Sequence, residues 1–111
     1  MGKYLKIMEI TELELQKKIN NGDKIIVEFW STWCGPCKMM KPIFERVAQN
    51  NDTDVQMYTM DIDNNRDFVS SLGIRSIPTI KVFDGGEVKE TKVGVLAEQN
   101  IKELVTNLLL N

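Results

Sequence analysis

Two cysteines three residues apart, Cys34 and Cys37, lie in the run Trp33-Cys34-Gly35-Pro36-Cys37-Lys38, directly after the apolar, strand-like segment Ile25–Trp30. A helix-like segment follows, so Cys34 stands at a helix start, where unpaired backbone N–H groups and the positive end of the dipole favour an anion. A thiolate is such an anion. A lowered thiol pKa raises the reactive fraction near neutral pH, and Cys37, one turn along, can attack a mixed disulfide formed at Cys34. Gly35 permits a tight turn and close approach of a substrate, while Pro36 suits the first helical turn, with its fixed φ and missing donor. Residue types and spacing together describe a dithiol redox site.

Two other uses of such a pair compete with this one. Half of a zinc site needs further Cys or His ligands, and the chain has no histidine and only these two cysteines, so no metal is expected. Buried thiols packing as small hydrophobes are the plainer alternative. Gly-Pro between the cysteines, with tryptophans close by, describes a surface turn rather than a core.

The elements that must position the pair fit a single domain, 1–111, long enough for one core without disulfide staples. Charges are mixed, 14 basic against 16 acidic with a net of −2, and no block of like charge points to nucleic acid or a membrane surface as a partner. Residues 1–20 never reach the continuous apolar core of a signal peptide, and no stretch is long enough to span a bilayer. A cytoplasmic location is expected, where a C-x-x-C pair reads as catalytic rather than structural.

Residues 4–10 alternate charged and apolar types, as in a short edge strand. Thr11 and Glu14 have the spacing of a capping box, and Leu13, Leu15 and Ile19 supply apolar positions for a helix that Asn21-Gly22 ends. Ile25–Trp30 is apolar on both faces apart from Glu28, the pattern of a central strand covered on both sides. After the cysteines, Met39, Ile43 and Val47, with Met40 and Phe44, predict a core-facing helical stripe. Residues 55–62 read as a second buried strand and residues 66–72 as a short helix ended by Gly73. Ile80 and Val82, then Val88 and Val93, flank Asp84-Gly85-Gly86 and predict an antiparallel hairpin. Residues 97–110 form a closing helix with Ile101, Leu104, Val105, Leu108 and Leu109 on one face. The sum is an α/β chain, a mixed sheet between two helical layers.

At this point the chain resembles the thioredoxin family. The matching residues are Val27-Glu28-Phe29-Trp30, then Trp33-Cys34-Gly35-Pro36-Cys37-Lys38, Pro42, Gly73-Ile74-Arg75, Ile77-Pro78-Thr79, Gly85-Gly86 and Lys92-Val93-Gly94, in family order along nearly the whole chain. The resemblance implies the thioredoxin fold, a three-layer α/β/α arrangement with a central mixed five-stranded sheet flanked by four helices. It implies a protein-disulfide reductase: the Cys34 thiolate attacks a target disulfide, Cys37 resolves the mixed disulfide, and the pair cycles to a Cys34–Cys37 disulfide. Thioredoxin reductase, usually a flavoprotein drawing on NADPH, would recharge the pair. No cofactor is expected on this chain, which would act as a monomer on disulfide-containing target proteins. Gly35 and Pro36 would tune the site, since Gly-Pro resembles the reducing members. Ile77-Pro78 is implied to be a cis peptide facing the cysteines, and Trp33, Pro36, Ile77, Pro78 and Gly94 the surface on which a partner's disulfide docks, pairing with the Ile77 backbone. Some members serve instead as structural subunits of larger enzymes, and oxidases or isomerases work outside the cytosol; both roles stay open.

Three residues depart from the family pattern. Glu28 stands where aspartate is usual, and is expected to be a buried acid with a raised pKa and a candidate proton acceptor for Cys37, against the alternative of a carboxylate reaching solvent at a strand edge. Thr59 stands where the family has a lysine near that acid. Losing the cation favours the protonated carboxyl, whereas a hydrogen bond from the Thr59 hydroxyl would favour the ionised one. Ala97 replaces a common capping serine, which weakens the start of the last helix.

Overall fold

The computed structural model describes residues 8–110. Helix α1 (Glu12–Asn20) starts where predicted: the Thr11 side chain accepts from the Glu14 N–H at 3.2 Å, and the Glu14 carboxylate accepts from the Thr11 N–H at 3.1 Å. Asn21 caps its C-terminus, and Gly22 follows with φ 81°. Strand β1 (Ile25–Trp30) leads through the cysteine turn into α2 (Gly35–Gln49), a single helix across Pro42, and then into β2 (Gln56–Asp61). A 3-10 turn over Ile62–Asn64 joins β2 to the short helix α3 (Arg66–Ser71). The chain closes with β3 (Thr79–Asp84), β4 (Glu87–Val93) and α4 (Glu98–Leu109).

The sheet order is β2-β1-β3-β4. β1 and β2 are parallel, which requires the α2 crossover between them, and β1–β3 and β3–β4 are antiparallel. Gly85 and Gly86, with φ of 63° and 86°, make the β3–β4 turn, which needs left-handed backbone at both central positions. A register shift between Val82 and Phe83 interrupts the β3–β4 ladder.

Five strands were expected and four are present among the described residues. On the outer side of β2, Glu9 makes one parallel bridge to Thr59; the Ile10 N–H donates to the Thr59 carbonyl at 2.9 Å and the Thr59 N–H to the Met8 carbonyl at 2.7 Å. Pairing cannot run further towards the C-terminus because Thr11 is already the cap of α1. The earlier part of the predicted strand, residues 4–7, lies outside the described residues.

Alternation along β1 divides the core. Ile25, Val27 and Phe29 pack with Leu15 of α1 and Phe68 and Val69 of α3. Ile26 faces the other way, with Met40, Phe44 and Val47 of α2 and Ile101, Leu104 and Leu108 of α4. Phe29 and Phe44, one in each cluster, are fully buried and contribute about 1.5–3 kcal/mol each. Met39 and Leu109, expected inside, are 67% and 43% exposed. Each neighbours a buried residue, Met40 or Leu108, and one step along a helix turns the side chain by about 100°, off the buried stripe. Leu13, two steps from buried Leu15, likewise faces out. No helix among the described residues is long and apolar enough to cross a membrane.

Candidate active site

β1 ends at Trp30, and after Ser31 the chain turns into α2 with Cys34 as its N-cap (φ −94°, ψ 111°). In that position its side chain points back over the first turn, and Cys34 Sγ accepts from the Cys37 N–H at 3.2 Å. The Lys38 N–H reaches the Cys34 carbonyl at 3.2 Å, the first bond of the helix. Pro36 occupies the first turn, where its missing donor costs nothing. Cys34 and Cys37 are joined in a disulfide with Cα atoms 5.2 Å apart. Cys34 retains 6% exposure and Cys37 none, so an outside sulfur reaches Cys34 first.

Gly35 does not have the left-handed backbone that a tight turn would need, and a Cβ there would meet nothing within 4 Å. Its missing side chain leaves the approach to Cys34 open. Ile77-Pro78 is cis, and the Ile77 carbonyl oxygen lies 3.8 Å from Cys34 Sγ. The Gly94 N–H donates to the Pro78 carbonyl at 2.9 Å, which ties the end of β4 to the loop before β3. Gly94 has φ 97°, a backbone that excludes most side chains, although a Cβ would meet open space. Trp33, Cys34, Pro36, Ile74, Arg75 and Ile77 line one groove beside the disulfide. The Trp33 ring is 66% exposed, yet its indole N–H donates to Asp63 at 2.8 Å, and Arg66 braces the same carboxylate at 3.3 Å.

Glu28 lies on the sheet face that α2 covers, 0% exposed, and neither carboxyl oxygen has a hydrogen-bond partner among the described residues. Burial pushes its carboxyl up to about 8; Lys41 pulls against that shift, and Glu45 and Glu9 add to it. The alternative of a solvent-reaching carboxylate is therefore excluded. Thr59, expected as a possible donor to Glu28, gives its hydroxyl to Glu9 instead, at 2.8 Å. Of the two opposed effects of Thr59, the hydrogen bond does not form, which leaves the lost cation unopposed by it and burial as the largest influence on the carboxyl.

Sequence reasoning missed Glu9, Lys41, Glu45 and Asp63. Lys41 and Glu45 had a usable signal, an i,i+4 pair of opposite charge one turn beyond Cys37, and they meet at 2.6 Å with Lys41 Nζ also 4.7 Å from the Trp30 ring. Asp63 had none, since its contact with Trp33 joins residues far apart in sequence.

The thioredoxin family model matches residues 6–107. A thioredoxin of Rickettsia bellii (strain RML369-C) is 36% identical over 99 residues, covering 88% of this chain and 94% of its own. One of Staphylococcus epidermidis (strain ATCC 12228) is 36% identical over 99 residues, with 89% and 94% covered. The solved structure of an N21Q mutant thioredoxin from Halobacterium salinarum NRC-1 superposes with a TM-score of 0.81 at 29% identity, over 97% of this chain and 95% of that one. With a disulfide at a helix start in this same fold, the chain belongs to the thioredoxin family and is a thiol–disulfide oxidoreductase.

Proposed function

We propose that the protein reduces disulfides of target proteins in the cytoplasm, as a monomer. The observation that carries this is the placement of Cys34 Sγ, the more exposed sulfur of the pair, as acceptor of a backbone N–H at the start of α2. In the dithiol form that position favours the thiolate. Cys34 attacks one sulfur of the target disulfide, and the other target sulfur leaves as a thiolate. Cys37 then loses its proton and attacks Cys34 Sγ; the second target sulfur leaves, and the Cys34–Cys37 disulfide forms. The electron pair that reduces the target comes from the dithiol.

Glu28 is the proton acceptor for Cys37, directly or through one water. A group titrating at about 8 combines adequate basicity with a useful ionised fraction near neutral pH. Gly35 and Pro36 shape the approach to Cys34, and Trp33, Ile77, Pro78 and Gly94 hold the target's segment, with the Ile77 backbone as the pairing edge. Thioredoxin reductase returns the pair to the dithiol.

Insulin reduction with dithiothreitol as electron donor tests the reading. Wild type is expected to turn over and Cys34→Ser to lose turnover altogether. A folded wild type without turnover overturns it in favour of a docking subunit.

A further inference from the structure

Cross-strand register sets four residues in one row: Glu9 beside Thr59, Thr59 beside Glu28, and Glu28 beside Ile80. Neighbouring strands are about 4.8 Å apart, so Thr59 stands in register between two glutamates, one on each side. A threonine hydroxyl has one proton to donate. It goes to Glu9 Oε1 at 2.8 Å, and Glu28 is left with no partner among the described residues. Glu9 is anchored for this task, because its carboxylate also accepts from the Trp30 indole N–H at 3.0 Å and the Asp61 backbone N–H at 2.5 Å.

We propose that Glu9 is a positioning residue for the buried acid: it holds the Thr59 hydroxyl away from Glu28 and thereby leaves the Glu28 carboxyl without a hydrogen-bond donor. The idea rests on the reading of Glu28 as the proton acceptor for Cys37 and names what sets the pH at which it acts.

The surroundings of Glu28 leave few other sources of a hydrogen bond. From α2, Lys41 is held by Glu45 at 2.6 Å and by the face of Trp30, and Cys37 is in the disulfide. On β2, the Asp61 carboxylate accepts from the Asp63 N–H at 2.9 Å. β3 brings the apolar Ile80, and beyond it in the row Lys92 of β4 pairs with Glu90 at 3.4 Å. α4 turns Ile101, Leu104 and Leu108 into this part of the core. A hydrogen bond to the ionised form lowers a carboxyl pKa, so which acid Thr59 serves bears directly on Glu28.

The test is a carboxyl-carbon NMR titration of Glu28 in the disulfide form of wild type, Glu9→Ala, Thr59→Val and the double variant. Glu9→Ala is expected to move the Glu28 midpoint down by roughly one pH unit, because the freed hydroxyl turns to it. Thr59→Val alone is expected to leave the midpoint near that of wild type, and in the Glu9→Ala background to restore most of the drop. Glu9→Gln, which keeps an acceptor for Thr59, is expected to titrate closer to wild type than Glu9→Ala does. An unchanged midpoint in Glu9→Ala overturns the proposal, as does an equal drop with and without the Thr59 hydroxyl, which would mark loss of the Glu9 charge alone. This titration involves no turnover, so its failure is distinct from failure of Glu28 as proton acceptor. That separate reading is tested by the acid limb of the resolving step, which follows the Glu28 midpoint across the five proteins if Glu28 accepts the proton and ignores it otherwise.

Discussion

On the sheet face covered by α1 and α3, Lys81 sits beside Val27, and its long stem carries the ammonium to the hydroxyl of Thr91 on the exposed strand β4, 3.0 Å away. On the face covered by α2 and α4, Glu28 sits beside Thr59 and Ile80 with both oxygens unpaired among the described residues. Both residues are buried, but a lysine can reach the rim and a glutamate in mid-strand cannot. Fold stability alone does not explain an orphaned carboxyl, since an apolar residue would serve β1 better. The two faces thus differ in how a buried ionisable side chain is accommodated.

That contrast has a pH signature. The Glu28 carboxyl titrates at about 8 in the folded protein against an ordinary value of 4.5. Between those values the folded state binds more protons than the unfolded one, so stability falls as pH rises through this window and levels off above it. The full loss is about 3–5 kcal/mol, at about 1.4 kcal/mol per pKa unit. Urea denaturation of the oxidised protein from pH 4 to 9 measures it, and a flat profile breaks the contrast between the faces.

Glu28→Gln is expected to raise stability by about 2–3 kcal/mol at pH 7 and by almost nothing at about pH 3, because both side chains are then neutral in both states. The same change slows the resolving step by roughly tenfold or more, measured by stopped-flow release of a mixed disulfide. Ala97→Ser sharpens the comparison from outside both sites. Ala97 caps α4 without a side-chain hydrogen bond, and serine there adds about 0.5–1 kcal/mol with no dependence on pH. The smallest effect belongs to Thr91→Val. Water replaces the lost partner of Lys81 at the exposed rim, and thermal denaturation shifts by no more than about 0.5 kcal/mol.

Local signals in the chain carried the capping box at Thr11, the buried run of β1, the glycine turn between β3 and β4 and the thiol pair at the start of α2. Each is set by a few neighbouring residues. The site's outer parts came only with the family likeness, because nothing near Ile77 or Gly94 announces that the fold brings them to Cys34. What neither route reached depends on register between strands distant in sequence. Thr59 looked free to serve Glu28 until Glu9 was found bridged to it on its other side. Met39 and Leu109 show a related limit: an apolar residue beside a buried one satisfies a composition count but lies about 100° off the stripe.

The tether from Trp33 to Asp63 bears on the entropy of encounter. An exposed ring normally samples several rotamers, and a partner that packs against it must freeze them at a cost of about 0.5–1.5 kcal/mol. Here the indole is already hydrogen-bonded at 2.8 Å, with Arg66 bracing the carboxylate that holds it. Folding has absorbed that loss of freedom, so the ring beside Cys34 has its orientation decided in advance of any encounter.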